Sequence, residues 1–492
     1  MRGIRGRLGR VTVSFVVVAG LLATVGSTGG VPQAAAVPAP AAAAPASAAL
    51  WTYNASWNSE AGTQPPAVCV DPPTGCTVPA PQAQTGNGAP GAQDFVASDG
   101  VNVYAVSTFV SGDGVPVWSC PIAEYGSGCA SFDVTNIPDS ILSVDLAVDT
   151  AGVVGPPGAT YLFIGDSSGT ISRCPVADSG GVACTRHESS GGRVAAGMVV
   201  ANGYLWVALE HGGEFGNGLL WRCGLWTNDD CQVFDDPKGP ALRSLEVGGG
   251  YLWVGRSDGV IWRCDMTAAN RCAVWDTAGQ QIDALSYDGA GTLYAAVHAG
   301  ANRQHPAVVW SCSTAHANGC LTVPADTGTS DMRFALNVEA GGGGVFNVSG
   351  ATDSQPRLNF GSLPLSDPSN DAGSMSLLYV PAGGLAPQGA ARIVLPDLTG
   401  RLAKVGARCA KALASGRARA AKVWADLVVT GPYGVRFHRR VDVCTPNAAD
   451  WSFGSLDAGR YSASLRVHQF VLRGSATVTG GGVTALSFGA PA

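Results

Sequence analysis

Cysteine couples recur along this chain at a spacing that restricts the fold to repeats of a small unit. Twelve of the 14 cysteines stand in couples seven to ten residues apart. The couples are Cys69 with Cys76, Cys120 with Cys129, Cys174 with Cys184, Cys223 with Cys231, Cys264 with Cys272 and Cys312 with Cys320. Their first members follow one another at intervals of 51, 54, 49, 41 and 48 residues. Intervals of this length are typical of four-stranded repeat units.

Each interval contains four short apolar runs separated by turn residues. Around Cys264 the runs cover residues 241–249, 251–257, 260–266 and 272–279, with Gly, Asp and Asn between them. We label these strands a, b, c and d, so that each cysteine couple joins c to d. Neighbouring antiparallel strands bring cysteine β-carbons within bridging distance. The couples are therefore predicted to be disulfides that close the outer hairpin of each unit, and no metal or cofactor is expected.

Such repeats predict an all-β chain whose main part is a disulfide-stapled β-propeller. Six c–d hairpins carry cysteines, and a seventh in residues 344–383 has Asn359 and Gly361 near the cysteine position. Seven blades are therefore predicted, with six as the alternative. The first unit lacks an evident strand a. A late strand such as residues 391–396 is predicted to supply it and to close the ring.

The amino-terminal residues have the features of a secretory signal peptide. Four arginines between Arg2 and Arg10 precede an apolar stretch, and small residues at 34–36 or at 46–48 offer a cleavage site. We predict a signal peptide over residues 1–36 and an Ala/Pro-rich linker over 37–48, with an uncleaved membrane anchor as the alternative. Disulfides form and persist outside the cytoplasm. The mature chain is thus expected to be secreted, with cell-wall association as one variant and no transmembrane segment.

A change in composition divides the remaining chain into a propeller over residues 49–390 and a smaller basic domain over 391–492. The apolar runs of the smaller domain, including residues 402–429, are predicted to be strands of a β-sandwich bridged by Cys409 and Cys444. The ending from Leu456 to Phe488, with Ala-Gly-Arg-Tyr before a hairpin and a last strand, resembles the carboxypeptidase-regulatory or prealbumin-like sandwich. That resemblance implies a fold and no activity.

The two parts carry opposite charge. Residues 11–390 have 12 basic and 31 acidic side chains, a net charge of −19, whereas residues 391–492 have 14 and 5, a net charge of +9. The basic side chains singled out are Arg401, Lys404, Arg408, Lys411, Arg417, Arg419, Lys422, Arg436, Arg439 and Arg440. This asymmetry predicts that the terminal domain meets an anionic surface, either the propeller itself or an anionic cell-wall polymer, and not nucleic acid. The alternative is a solvated face without a partner.

The loops between strands b and c are the candidate binding face. They are unequal: those at residues 166–169 and 256–259 are minimal, whereas those over residues 210–218 and 298–307 are long. Ligand contacts concentrate on varied loops carried by a rigid frame. The position after strand b is polar in successive units: Thr108, Ser167, Glu210, Ser257 and His298. The predicted ligand-binding residues are Asp166, Glu210, His211, Glu214, Asp258 and His298. They could bind a ligand or a cation, or act as acid and base, or simply be polar strand ends.

The chain resembles secreted bacterial β-propeller repeat proteins in these features, and short motifs point the same way. Residues 257–262, Ser-Asp-Gly-Val-Ile-Trp, resemble the aspartate box of sialidase propellers, but Ser and Asp are adjacent and no Thr precedes the Trp. The resemblance implies a structural turn and no glycosidase activity. The run Leu-Trp-Val-Gly followed by Asp-Gly is similar to blades of two-component-regulator sensor propellers and of streptogramin-lyase-like proteins.

Nucleophile-elbow, zinc-protease, P-loop and dinucleotide-binding motifs are absent from the sequence. A non-catalytic binding or scaffolding protein is therefore predicted, monomeric, with a glycan or a protein as ligand. The alternatives are a lyase or hydrolase with its site on the b–c face, for which no catalytic residue can be assigned, and a purely structural protein.

Overall fold

The computed structural model describes residues between Ser47 and Phe488. Within this range, the longest stretches that the structure does not describe are residues 55–64, 73–94, 108–113, 212–217, 299–307, 324–333, 351–356, 366–374, 395–401, 415–422 and 445–451. The predicted signal peptide and all but the last two residues of the predicted linker also lie outside the described residues. No helix among the described residues is long and apolar enough to cross a membrane.

The described chain is almost entirely β-strand, with one short 3-10 helix at Ile122–Glu124 in its first part. The first eleven strands are β1 (Ala49–Asn54), β2 (Ala67–Val70), β3 (Val96–Ser98), β4 (Asn102–Val106), β5 (Val115–Pro121), β6 (Ala130–Thr135), β7 (Ile141–Asp149), β8 (Ala159–Asp166), β9 (Thr170–Pro175), β10 (Gly181–Ala183) and β11 (Thr185–Ser189).

A further seventeen strands follow before residue 381. They are β12 (Arg193–Ala201), β13 (Tyr204–His211), β14 (Leu219–Gly224), β15 (Gln232–Asp235), β16 (Leu242–Gly248), β17 (Tyr251–Arg256), β18 (Val260–Cys264), β19 (Cys272–Thr277), β20 (Ile282–Tyr287), β21 (Thr292–Val297), β22 (Val308–Ser313), β23 (Leu321–Val323), β24 (Phe334–Gly341), β25 (Gly344–Gly350), β26 (Arg357–Phe360), β27 (Leu363–Pro364) and β28 (Met375–Val380).

These strands form seven sheets within the described residues, which we number 1 to 7. Sheet 1 contains β3 to β6 with β10, and sheet 2 contains β7, β8, β9 and β11. Sheets 3 to 6 contain β12–β15, β16–β19, β20–β23 and β24–β27, and sheet 7 contains β28, β1 and β2. The inner strands contact one another in the order β3, β7, β12, β16, β20, β24, β28 and back to β3. The main part of the chain is therefore a β-propeller, as predicted.

Strand β28 closes the ring. It pairs antiparallel with β1, so that Leu50 lies opposite Tyr379 and Trp51 opposite Leu378. The prediction that residues 391–396 supply this strand is wrong, because the strand at Gly389–Val394 pairs with two strands of the terminal domain instead. The apolar run that follows the short β27 along the chain is β28, which takes the inner position of sheet 7. The later run, Gly389–Val394, pairs with strands that follow it in the chain.

The predicted disulfides staple the c–d hairpins. They join Cys120 to Cys129, Cys174 to Cys184, Cys223 to Cys231, Cys264 to Cys272 and Cys312 to Cys320, with Cα atoms 3.9 to 4.2 Å apart. Cys69 is also disulfide-bonded, and its predicted partner Cys76 lies outside the described residues. Sheet 4 has the four strands predicted around Cys264, and Cys264 stands directly opposite Cys272. The strand register inferred from the cysteines is confirmed there.

Acidic side chains on outer strands link each of three sheets to the next. In each case the backbone N–H of a second cysteine donates to a carboxylate of the preceding sheet. The donors and acceptors are Cys231 to Glu188 (3.2 Å), Cys272 to Asp235 (3.2 Å) and Cys320 to Asp276 (3.1 Å). The disulfide holds the donor in place, so the staple also supports packing between sheets. Some of the acidic charge of the propeller is therefore structural.

Sheet 1 receives a fifth strand from its neighbour. Strand β10, which lies inside the disulfide loop of sheet 2, pairs in parallel with β6, the outermost of the four consecutive strands of sheet 1. The N–H of Cys184 donates to the carbonyl of Thr135 at 3.1 Å. An outer strand exposes unpaired backbone groups, and here the stapled loop covers one of these edges.

Aromatic side chains fill three consecutive sheets in the same way. A residue on strand b packs against a residue on strand d that a β-bulge removes from the ladder. The pairs and their ring-centroid distances are Phe163 with His187 (5.2 Å), Trp206 with Phe234 (4.8 Å) and Trp253 with Trp275 (5.5 Å). All six side chains are buried. His187 thus occupies a position that carries an aromatic hydrocarbon ring in the next sheet.

At two boundaries between sheets, a glycine of one inner strand packs closely against a tyrosine of the next. A Cβ added to Gly248, at the end of β16, would lie 2.2 Å from Cγ of Tyr287, at the end of β20. The same contact recurs between Gly341 and Tyr379, where the distance would be 2.3 Å. A side chain at either glycine would force the tyrosine ring out of its place between the sheets.

Replacing Gly248 by alanine is expected to lower the free energy of unfolding by about 1–3 kcal/mol, the usual cost of overpacking. The matched control is Gly181→Ala, because a Cβ at Gly181 meets nothing within 4 Å. That control should change the free energy by no more than about 0.5 kcal/mol. Urea unfolding of both variants measures the difference. Equal effects of the two substitutions would contradict the close approach.

The part of the chain predicted as the terminal domain, a name we keep, contains β29 (Gly389–Val394), α1 (Ala403–Ala414), β30 (Trp424–Thr430), β31 (Arg436–Asp442), β32 (Ser452–Leu456), β33 (Gly459–Val467), β34 (Phe470–Val478) and β35 (Val483–Ser487). One sheet has the order β32-β29-β35 and the other β31-β30-β33-β34. Both sheets and the helix contribute to one core, in which Phe453, Leu427 and Leu465 are buried. Strand β32 contacts β7 and β12 of the propeller, and the Arg439 guanidinium lies 5.6 Å from the ring centroid of Tyr204.

The prediction that residues 402–429 form only strands is wrong for their first part, which is helix α1. Leu402, Val405 and Cys409 are buried, and their spacing of three and four residues is that of one helix face. Cys409 forms the predicted disulfide with Cys444. The bridge ties the helix to the end of β31 and so to the sheet that it covers.

Candidate functional site

The turns between strands b and c lie on one face of the propeller, which we call the b–c face. The position after strand b is equivalent in three sheets, because its backbone N–H donates to the residue that precedes strand a. The pairs are Ser167 to Ser140 (2.9 Å), Ser257 to Ala241 (2.9 Å) and His298 to Gln281 (2.8 Å). Thr108 lies outside the described residues. These three positions are therefore structurally equivalent, as the repeat pattern of the sequence predicts.

A β-bulge at the start of strand a shapes this face. In five sheets one residue of strand a is skipped by the pairing with strand b. The skipped residues are Leu142, Ala196, Arg243, Asp283 and Leu336. A bulge redirects the side chain that it carries. In the neighbouring sheets 4 and 5 that side chain is charged, and each charged bulge residue contacts a residue singled out from the sequence.

Glu210 pairs with the bulge residue Arg243 across the boundary between sheets 3 and 4. The Arg243 Nη2 to Glu210 Oε1 distance is 3.3 Å, and each side chain is 22% exposed. Burial raises the pKa of Glu210, while the nearby Arg243 guanidinium opposes that shift. A charge pair with this exposure is partly desolvated and can still reach a ligand at the surface.

His298 pairs with the bulge residue Asp283 within sheet 5. The His298 Nδ1 to Asp283 Oδ2 distance is 2.8 Å, with the histidine side chain 27% exposed and the aspartate 1% exposed. The side-chain amide of Gln281 donates to the other oxygen of Asp283. A buried carboxylate that contacts one ring nitrogen fixes the orientation of the imidazole.

Two other candidates stabilise their own turns. The Asp166 carboxylate accepts hydrogen bonds from the backbone N–H groups of Ser168 and Thr170, each at 2.9 Å, and from the Ser168 hydroxyl. Burial raises the pKa of Asp166. Asp258 forms two contacts with Arg256, at 3.0 and 2.6 Å, and the Arg256 guanidinium lies 4.7 Å from the ring centroid of Trp262. These contacts lie within single b–c turns.

The structure thus places the predicted residues in separate local settings. The side chain of His211 and all of Glu214 lie outside the described part of the chain. The charged partners of the candidate residues were not predicted from the sequence; they are Arg243, Asp283 and Arg256. Arg243 and Asp283 had a local signal, since each is a charged residue inside an apolar strand a, in Leu-Arg-Ser-Leu and Ile-Asp-Ala-Leu. Such an interruption of the alternating pattern is typical of a bulge.

Metal binding has no preformed centre in the part of the chain that is described. Within these residues, no group of three or more His, Cys, Asp or Glu side chains is arranged to hold a metal ion. The two contacts at the bulges each combine one acidic with one basic group, a set suited to hydrogen bonding with polar ligands.

Comparisons with known proteins give fold-level likeness only. No protein-family model matches the chain, and no curated protein matches it. The β-propeller domain of Cps50 (Swd1) from Myceliophteria thermophila is 8% identical, over 59% of this chain and 88% of that one, with a TM-score of 0.38. The WD40 β-propeller domain of Doa1 is 10% identical, over 61% and 95%, with a TM-score of 0.39. The designed protein Ika8 is 10% identical, over 57% and 73%, with a TM-score of 0.34.

Proposed function

We propose that this chain is an extracellular binding protein, a seven-bladed propeller whose b–c face holds a polar ligand, with a glycan as the first candidate. The observation that carries the proposal is the pair of charged bulge residues, Arg243 and Asp283, in neighbouring sheets. Each contacts a polar residue at the end of a strand b, and two long b–c loops noted in the sequence begin at those residues. Hairpin disulfides are typical of proteins outside the cytoplasm.

Energetics favours a binding role for these charges over a purely structural one. A partly buried ion pair contributes little net stability, because its desolvation cost offsets most of the Coulomb attraction. Other sheets place Leu142, Ala196 or Leu336 at the same bulge, so the fold does not require charge there. Guanidinium, carboxylate and imidazole groups held on rigid strands supply the directional hydrogen bonds by which a polar ligand is recognised.

The test is a glycan-array screen of the full chain, followed by calorimetric titration of the best ligand. Arg243→Gln and His298→Gln are each expected to weaken binding by at least tenfold. Arg271→Gln is the control, since Arg271 is 64% exposed and pairs with Asp265 in the c–d hairpin region. Binding that falls equally in the control, or no saturable glycan at all, would count against the proposal. Saturable binding to a protein alone would replace the glycan by a protein ligand.

A second candidate is a lyase or hydrolase that uses the same face, favoured by the Asp283–His298 contact. A histidine oriented by a buried carboxylate is an arrangement suited to general-base catalysis. If a turnover is found, His298→Gln should abolish it while ligand binding persists, and Asp283→Asn should lower it and alter its pH profile. If His298→Gln loses ligand binding together with turnover, His298 acts in binding and not in catalysis.

A further inference from the structure

The four-stranded sheet of the terminal domain has one face in the core and one face in solvent. Along its strands, buried apolar residues alternate with exposed ones, as on β33, where Tyr461, Ala463 and Leu465 are buried. We call the solvent side the arginine face. Its exposed, described arginines are Arg440, Arg460, Arg466 and Arg473. Their exposure holds with the propeller in place.

The pairing register of the strands determines the distances between these arginines. Arg440 on β31 and Arg466 on β33 are both paired with Asp426 on β30 between them. With strands about 4.8 Å apart, their Cα atoms lie roughly 10 Å from one another. Arg473 on β34 stands two residues from the partner of Arg466, a diagonal neighbour at about 7–8 Å. The three arginines therefore form a path across the sheet, and Arg460 extends it along β33.

The arginine face is positive and poor in compensating acid. Among the described residues, the exposed acidic side chain of this face is Asp426, which stands between Arg440 and Arg466 and lies 3.7 Å from His438. Four exposed arginines therefore face one described carboxylate, and within these residues no carboxylate forms an ion pair with Arg460, Arg466 or Arg473. The Arg440 guanidinium lies 5.3 Å from the ring centroid of Trp424, a cation–π contact that holds it at the surface. Guanidinium groups outnumber carboxylates on this sheet face and repel one another, and an anionic ligand relieves that repulsion.

The chemistry of the face favours an acidic glycan as that ligand. Every described long basic side chain on it is arginine, whose planar fork binds carboxylate or phosphate oxygens in two-point contacts. Exposed hydroxyls lie between the arginines, because Ser462 is paired with Ser475 and Arg460 with Thr477. Hydroxyl and guanidinium groups together match a polymer that carries both sugar hydroxyls and regularly spaced anionic groups.

We propose that the arginine face binds a linear acidic polysaccharide whose sugars carry carboxylate groups. It would hold the protein to an extracellular polymer and leave the b–c face open for a second ligand. This proposal extends the attachment role expected from the charge asymmetry, and it assigns that role to Arg460, Arg466 and Arg473. It does not depend on the function proposed for the propeller.

The test uses the full chain with alginate, a polyuronate, and neutral dextran as probes. The variant carries Arg460→Gln, Arg466→Gln and Arg473→Gln. A matched control carries Lys404→Gln, Arg408→Gln and Lys411→Gln, which removes the same charge from exposed positions of helix α1. The arginine-face variant is expected to lose at least tenfold in alginate affinity at 0.05 M salt, and the helix control less than threefold. Dextran should bind neither protein.

Further measurements separate this proposal from its competitors. Affinity should fall as salt rises, because screening and counterion release weaken contacts with a polyanion. Arg243→Gln on the b–c face should leave alginate binding unchanged, so the two proposals can fail separately. The proposal is overturned if both triple variants lose affinity equally, or if wild-type chain ignores alginate. It is also overturned if duplex DNA or anionic vesicles bind tenfold tighter than alginate through the same arginines, or if sedimentation shows that these arginines instead mediate self-association.

Discussion

Replacing Trp253 by alanine is expected to lower the free energy of unfolding by about 3–5 kcal/mol, the range for removing a large buried aromatic side chain. Trp253 is fully buried between strands of sheet 4, its ring centroid lies 5.5 Å from that of Trp275, and its indole N–H donates to the carbonyl of Gly248 at 3.0 Å. The substitution leaves a cavity where two sheets meet and removes one hydrogen bond to the Gly248 carbonyl. Urea unfolding of the oxidised protein measures the loss.

Two control variants test the cause. Trp253→Phe keeps an aromatic ring and should cost only about 1–2 kcal/mol, since it loses part of the volume and one hydrogen bond. Val274→Ala on the neighbouring outer strand removes a side chain that is 58% exposed, and it should change the free energy by no more than about 0.5 kcal/mol. A loss in Trp253→Ala that does not exceed the loss in Val274→Ala would show that sheet 4 is not packed as described.

Acidification from pH 7.5 to 4 is expected to destabilise the propeller through His187 by about 3 kcal/mol, from a pKa difference of about 2.5. Burial lowers the pKa of His187 from 6.5 to about 4, and the nearby Arg173 adds to the shift, while Glu188 opposes it. Between these values the unfolded chain binds a proton that the folded chain does not. The free energy of unfolding therefore falls as the pH falls through this window.

The variant His187→Phe isolates this contribution, because the equivalent position of sheet 3 is Phe234. Other titrating groups are common to both proteins and cancel in the difference between them. That difference should be constant above pH 7.5 and should shift in favour of the variant by about 3 kcal/mol at pH 4. Denaturant titrations at half-unit pH steps provide the measurement. A difference that stays flat across the range would mean that His187 keeps its ordinary pKa in the folded protein.

Much of the repeat architecture could be predicted from the sequence because it depends on contacts between neighbours in the chain. The couple Cys264 and Cys272 places two strands opposite each other with only seven residues between the cysteines. Alternation of apolar and polar residues then identifies the strands themselves. Helix α1 was wrongly predicted as strand, although Leu402, Val405 and Cys409 recur with the spacing of one helix face.

The candidate residues on the b–c face were only partly predictable. Glu210 and His298 follow from the alignment of units, because the end of strand b is a local feature. The partners of these two residues could not be predicted, because β-bulges determine where the side chains of Arg243 and Asp283 point. Whether a skipped residue turns toward the next sheet depends on how two strands pair, and a change of one residue in register reverses every side chain.

Tertiary structure alone decided ring closure and the arginine face. Two apolar runs, β28 and β29, have comparable strand character, and only pairing with β1, more than 300 residues away, selects β28 as the inner strand of the last sheet. Likewise Arg440, Arg466 and Arg473 come from three different strands, and the order β31-β30-β33-β34 places them on one surface. The sequence determined which segments become strands through local periodicity and disulfides. Which strands become neighbours depended on packing between distant segments, which the local pattern does not encode.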